Sequence, residues 1–251
     1  MPDTQPAADH VKPYVHVSLS SKALHFSISE IQSRMLILDP HALDLEYTRT
    51  MMGFLLFKPE PRDITMIGLG GGSLAKFCYR HLPKSRIRVV EINPHVVALR
   101  DEFHVPRDDA RFSVVTADGA AFVRQCATRC DVLMVDGFDS EGQPSGLSSQ
   151  RFYDDCLDML QPDGMLVVNL HQGHRQFDIF VDRIRRSFND AVLLVDGSDL
   201  SNTIVFASRG PMPQPARPAA LRGPARLAAP AARQLQASFA LVLTALKDRP
   251  R

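Results

Sequence analysis

The segment DVLMVDGFDSEGQP closes an apolar run with three carboxylates, Asp136, Asp139 and Glu141, inside six residues. Such a patch repels a phosphate-rich ligand and attracts a cation, whether alkylammonium or sulfonium. A solvated acidic loop has the same composition, so the cluster needs companions before it means chemistry. One companion lies upstream, in ITMIGLGGGSLAKF: an apolar run, then Gly68, Gly70, Gly71 and Gly72, then Ser73 and a helical pattern. Glycines between a strand and a helix let a ligand approach the backbone closely. Dinucleotides, nucleoside triphosphates and S-adenosyl compounds all use such turns. Here serine stands where the dinucleotide fingerprint has its third small residue, and the Gly-Lys-Ser/Thr ending of a triphosphate loop is absent.

Two further acids follow strand-like runs. Glu91 ends RIRVVE, where a carboxylate can accept hydrogen bonds from ribose hydroxyls. Capping the next helix is its plainer role, and Asn93-Pro94 suits that task better. Asp118-Gly119, in TADGAAF, can meet an adenine amino group or cap the helix that follows, and the two roles can coexist. His171 and His174, in NLHQGH, read as surface residues. Phe138 packs over a ring or fills core.

The elements that must position these residues are legible from periodicity. From Asp63 onward, apolar runs (ITMIG, IRVVE, FSVVT, DVLMVD, MLVVNL, AVLLVD, NTIVFAS) alternate with helical patterns (SLAKFCYRHL, PHVVALRDEF, GAAFVRQCA, SQRFYDDCLDML, HRQFDIFVDRIRRSF). Unbroken Val/Ile/Leu runs indicate strands buried on both faces. The expected fold is α/β: a doubly wound, mostly parallel, seven-stranded Rossmann-like sheet with an antiparallel edge strand. A small N-terminal β-domain precedes it.

The expected divisions are a β-region over 1–44, a linking helix over 45–62 and an S-adenosyl-binding domain over 63–209. A Pro/Ala/Arg-rich linker and a last helix fill 210–251. Met51, Met52, Phe54 and Leu55 mark the buried face of the linking helix.

Composition narrows the partners. A formal net charge of +1 over 251 residues gives no global field for nucleic acid. The four cysteines, Cys78, Cys126, Cys130 and Cys156, have no zinc spacing, so no metal is expected. No run approaches the roughly 20 apolar residues of a membrane span. The first ten residues have no signal-peptide pattern, and the expectation is a cytoplasmic protein.

Taken together, IQS, EYTRTMM, IGLGGGS, VVEIN, TADG and VDGFDSEGQP, in that order over Gln32 to Leu170, resemble the spermidine synthase family of polyamine aminopropyltransferases. That family lies within the class I S-adenosylmethionine-dependent methyltransferase fold. The resemblance implies that Gly68, Gly70, Gly71, Gly72 and Ser73 lie against decarboxylated S-adenosylmethionine, a co-substrate rather than a tightly bound cofactor. It implies Glu91 on the ribose, Asp118-Gly119 at the adenine, and Asp136 as proton acceptor. Asp139 and Tyr47 would hold a small cationic amine, and the protein would form a homodimer.

Two departures from the family pattern bear on specificity. Family members commonly carry Asp where this chain has Ser73, so discrimination between decarboxylated and intact S-adenosylmethionine stays open. The polar pair that usually follows the tyrosine is replaced by Thr48-Arg49, and Arg49 would oppose a polyamine if it pointed inward. Two alternatives therefore accompany aminopropyl transfer: a methyltransferase acting on a small nucleophile, and a non-catalytic nucleoside-binding protein.

Overall fold

The computed structural model describes residues 10–26, 31–138, 142–198, 201–212 and 227–249. A three-stranded antiparallel sheet comes first: β1 (Tyr14–Val17), β2 (Ser21–His25) and β3 (Ile31–Leu36). Helix α1 (Glu46–Met51) then leads into the main sheet. Its strands are β4 (Asp63–Ile67), β5 (Arg86–Glu91), β6 (Phe112–Thr116), β7 (Cys130–Val135), β8 (Leu160–His171), β9 (Val192–Asp196) and β10 (Asn202–Ser208). The helices between and after them are α2 (Ser73–His81), α3 (Pro94–Ala98), α4 (Gly119–Gln125), α5 (Gln150–Met159), α6 (Phe177–Ser187) and α7 (Ala229–Asp248).

The seven strands lie in the order β6-β5-β4-β7-β8-β10-β9. Pairing is parallel from β6 to β8, and β10 runs antiparallel to both β8 and β9. The expected antiparallel edge is thus the β9–β10 hairpin, with β10 inserted between β8 and β9. The chain builds outward from β4 through β5 to β6, then returns to place β7 on the other flank of β4. Between β4 and β7 the winding reverses, and ligands of open α/β sheets bind outside the carboxyl ends of strands at such a point.

Both faces of the sheet are covered, which is why its strands read as continuous apolar runs. Met66, Met134, Val167 and Phe206 enter one core with Phe54, Phe77 and Phe239, beneath α1, α2 and α7. Ile67, Leu133, Val135 and Val168 enter the other with Phe152, Tyr153 and Ile184, beneath α5 and α6. At 25 cal/mol per Å², each buried Leu, Val or Phe contributes about 1.5–3 kcal/mol.

Two elements depart from the periodicity. The helix expected over 94–103 stops at Ala98, where the Leu99 and Arg100 amides turn to the tighter i−3 carbonyls of Val96 and Val97, and Phe103 packs at 1% exposure beneath Gly71. The turn closes through the Val105 amide donating to the Arg100 carbonyl at 2.9 Å, with His104 at φ +56. The linking helix is also shorter than 45–62: α1 gives way to a tighter 3-10 turn over Met52–Leu56. Gly53 there lies so close to α7 and β10 that a Cβ would stand 2.7 Å from Val242. Met51, Met52, Phe54 and Leu55 are all buried, as their spacing predicts.

Most of the Pro/Ala/Arg-rich stretch, 213–226, lies outside the described residues. The helix expected beyond it is α7, whose Ser238 hydroxyl accepts from Thr50 at 3.4 Å on α1. Among the described residues, no helix is long and apolar enough to cross a membrane, and no group of three or more His, Cys, Asp or Glu could hold a metal ion. The four cysteines are free thiols, three of them buried. Burial pushes the Cys130 thiol up to about 12, so it stays protonated and unreactive.

Candidate active site

Strands β6, β5, β4 and β7 are successive neighbours, and each carries a candidate residue just past or at its carboxyl end. In that order the edge presents Asp118, Glu91, the glycine turn and Asp136. Four motifs spread over 69 residues of chain thus fall on one rim, with the glycine turn and Asp136 flanking the point where the winding reverses.

The glycine turn is shaped by its neighbours. Gly68 has φ +98, and a Cβ there would stand 2.2 Å from the Asp136 carbonyl oxygen. Only glycine allows β4 to leave the sheet this close to the backbone after β7. Gly72, at φ +68, starts α2 in the left-handed region. The turn is anchored by the Gly68 amide donating to the Val90 carbonyl and the Leu69 amide donating to Glu91 Oε2, both at 2.8 Å. Its outer side rests on the N-terminal sheet: a Cβ on Gly71 would meet Ser33 Oγ at 2.8 Å. Ser73 is buried there too, its hydroxyl directed at the Arg34 carbonyl at 3.5 Å.

Glu91 is 8% exposed, and both of its oxygens are engaged. Oε1 accepts the Asn93 amide at 2.8 Å, while Oε2 holds Leu69. Each carboxylate oxygen has a second lone pair, so two hydroxyls can still be accepted. Asn93 itself caps α3, accepting from the His95 amide at 2.9 Å. Asp118 is exposed and caps α4, with Oδ1 accepting from the Ala121 amide at 2.6 Å. Gly119 sits so close to β4 that a Cβ would stand 2.4 Å from Ile67 Cγ2.

Asp136 is half-buried just past the end of β7. Asn169, in β8, donates its side-chain amide to Asp136 Oδ1 at 2.9 Å, and the Tyr47 hydroxyl from α1 bonds to the same carboxylate. Burial pushes the Asp136 carboxyl above its ordinary value, and the two donors act against that shift without cancelling it. The Tyr47 phenol is pushed well above its own ordinary value, first by burial and then by the Asp136 charge. It therefore stays protonated and remains a donor. A half-buried carboxylate with a raised value and two donors is suited to take up a proton.

Tyr47 also lines a groove of about 190 Å³ with Glu46, Thr50, Gly197, Ser201 and Asn202. That is smaller than the roughly 300–1,000 Å³ of pockets for drug-sized ligands, so it suits a short chain. Arg49 does not point there: its guanidinium donates to the Leu43 and Asp44 carbonyls, both at 2.7 Å. Asp139 and Glu141, the other two acids of the cluster, lie outside the described residues. His171 is exposed, in keeping with its surface reading, whereas His174 is half-buried and stacks on Phe180 at 5.0 Å. Phe138 is half-buried.

Sequence reasoning missed Asn169 and Asn202. Asn169 is 3% exposed, and Asn202 donates its amide to Asn169 Oδ1 at 2.9 Å. The available signal was a lone amide within the apolar run MLVVNL, where a buried polar group needs a partner.

Known proteins are similar to this chain. The family profile described as the spermine/spermidine synthase domain matches residues 44–186. A polyamine aminopropyltransferase of Chromobacterium violaceum is 38% identical over 189 residues, covering 75% of this chain and 72% of that protein. Among solved structures, a probable spermidine synthase from Corynebacterium glutamicum superposes with a TM-score of 0.69 at 20% identity, over 79% of this chain and 77% of the other. A spermidine synthase in complex with the transition state analogue AdoDATO does so with a TM-score of 0.62 at 24% identity, over 94% and 87%. At these identities the structural likeness speaks to the fold.

Proposed function

Because this chain belongs to the spermine/spermidine synthase family, we propose that it is an aminopropyltransferase. It moves an aminopropyl group from decarboxylated S-adenosylmethionine to a short diamine such as putrescine. The observation that carries this reading is Asp136: a carboxylate beside the glycine turn, fixed by Tyr47 and Asn169, with Tyr47 also lining a groove sized for a short chain.

The donor lies along the rim. Gly68, Gly70, Gly71 and Gly72 let its tail and sulfonium approach the backbone, with Ser73 at the start of the following helix. Glu91 accepts from the ribose hydroxyls on its remaining lone pairs, and Asp118-Gly119 border the adenine. The amine enters by the groove that Tyr47 lines, and Asp139 holds its distal ammonium.

In the reaction the neutral amine attacks the methylene carbon beside the sulfonium. A carbon–nitrogen bond forms, the carbon–sulfur bond breaks, and sulfur keeps the electron pair as neutral methylthioadenosine. The nitrogen's surplus proton passes to Asp136. A positioned base contributes roughly 10²–10⁴-fold, and alignment of two bound reactants adds more. The acidic rim favours the cationic donor and acceptor over phosphate-bearing ligands.

The test mixes purified protein with putrescine and either decarboxylated or intact S-adenosylmethionine and identifies the products by mass. Methylthioadenosine and spermidine from the decarboxylated donor are expected. S-adenosylhomocysteine and a methylated amine from the intact donor would instead assign methyl transfer.

A further inference from the structure

Asp136 stands at the end of a chain of side chains whose direction is fixed by chemistry. An ionised carboxylate only accepts hydrogen bonds, so Asn169 must present its amide nitrogen to Asp136. Its oxygen then faces β10, where Asn202 supplies Nδ2 at 2.9 Å. The Asn202 oxygen in turn accepts the Ser201 hydroxyl at 2.9 Å. From Ser201 to Asp136, every donor therefore points toward the carboxylate.

The register of the sheet makes this possible. Asn202 pairs with His171 and Ile204 with Asn169, so Asn202 and Asn169 are diagonal neighbours on one face of the β8–β10 ladder. Aligned hydrogen bonds polarise one another in a low-dielectric setting, and Asn169 is almost wholly out of solvent.

We propose that Asn169 and Asn202 are positioning residues that hold Asp136 in its ionised, proton-accepting form through this aligned amide chain. The inference rests on the aminopropyltransferase reading for its catalytic consequence, though the chain acts on the carboxylate whatever the reaction. Burial alone would leave the acid protonated at higher pH; the chain opposes that. Once Asp136 has taken the proton, the donors face a neutral group and their stabilisation is lost, which favours proton release and a return to the starting state.

The groups that bear on this titration are few among the described residues. From α1, Tyr47 donates its hydroxyl and stays protonated, and Glu46 is occupied by the Ser198 amide and hydroxyl at 2.8 and 2.5 Å. From β8 and β10 come the two amides. Asp139 and Glu141 lie outside the described residues, so each variant below is compared with wild type carrying the same acids.

The experiment follows the Asp136 side-chain carboxyl by ¹³C NMR against pH in protein labelled at aspartate. The Asp136→Asn variant identifies the signal. Asn202→Ala, which does not touch Asp136, should raise the titration midpoint by about half a pH unit. Asn169→Leu should raise it by about one unit or more. The acid limb of kcat/KM for aminopropyl transfer should move with them. A midpoint in Asn202→Ala equal to that of wild type overturns the proposal, even if Asn169→Leu fails to fold. The NMR reading needs no turnover, so absence of aminopropyl transfer in wild type would defeat the assigned reaction and leave this inference to be decided by its own titration.

Discussion

The Glu91 carboxylate accepts the Leu69 amide at 2.8 Å, so the acid that ends β5 shapes the glycine turn that ends its neighbour β4. A second amide, from Asn93, meets its other oxygen. The residue assigned to the donor's ribose is also the clamp on the donor's loop.

Glu91→Ala is therefore expected to act twice. Donor binding by calorimetry should be lost, and chemical denaturation should report a loss of about 2–4 kcal/mol from two stranded amides. Asp118→Ala, whose cap is exposed, should lower stability by only about 1 kcal/mol. Unchanged donor affinity in a folded Glu91→Ala protein would remove Glu91 from the site.

The glycines of the turn should not be equivalent. Gly68→Ala drives a methyl against the Asp136 carbonyl, which is backbone that cannot move aside, at φ +98. A loss of about 3 kcal/mol or more is expected, together with displacement of Asp136 and loss of turnover. At Gly70 (φ +52) the nearest atom to an added Cβ is the Ser33 Cβ at 3.4 Å, so Gly70→Ala should cost about 1 kcal/mol. Thermal melts of the two variants make the comparison, and equal losses would contradict it.

Lys76 is fully buried in α2, donating to the Phe103 carbonyl at 2.8 Å, and desolvation lowers it from 10.5 to about 8. Between those values the unfolded chain binds more protons at Lys76 than the folded one, so this residue's own contribution to stability should rise as pH climbs from about 8 to 10.5. The buried Cys130 thiol and Tyr47 phenol contribute in the opposite direction. Lys76→Met removes this dependence. It should be more stable than wild type at pH 7 by about 1–3 kcal/mol, with the gap closing toward pH 10.5. Denaturant melts at the two pH values decide, and a less stable variant at pH 7 would refute the expectation.

Much of this rim was legible because strand ends announce themselves. An apolar run marks a buried strand, and Glu91, Asp118 and Asp136 each stand at or just past the end of one. Parallel winding then brings those ends together without further information. Other features depended on contacts that no local pattern contains. Asn169 and Asn202 meet only through the antiparallel register of β8 with β10, which the turn DGSDLSN does not specify. α3 stops early where its last amides turn to i−3 carbonyls and Phe103 packs beneath Gly71, a tertiary contact absent from the helical pattern. Arg49 looked opposed to a cationic substrate, yet the carbonyls of Leu43 and Asp44 hold it aside.

Asp136→Asn tests the central claim most directly, since asparagine keeps the shape and can still accept from Asn169 while losing the capacity to take a proton. The measurement pairs donor affinity by calorimetry with the single-turnover rate of methylthioadenosine release in the presence of putrescine. Affinity within about 3-fold of wild type is expected, with a rate lower by roughly 10²-fold or more. A variant that binds donor and releases methylthioadenosine at the wild-type rate would contradict the role of Asp136 as the proton acceptor.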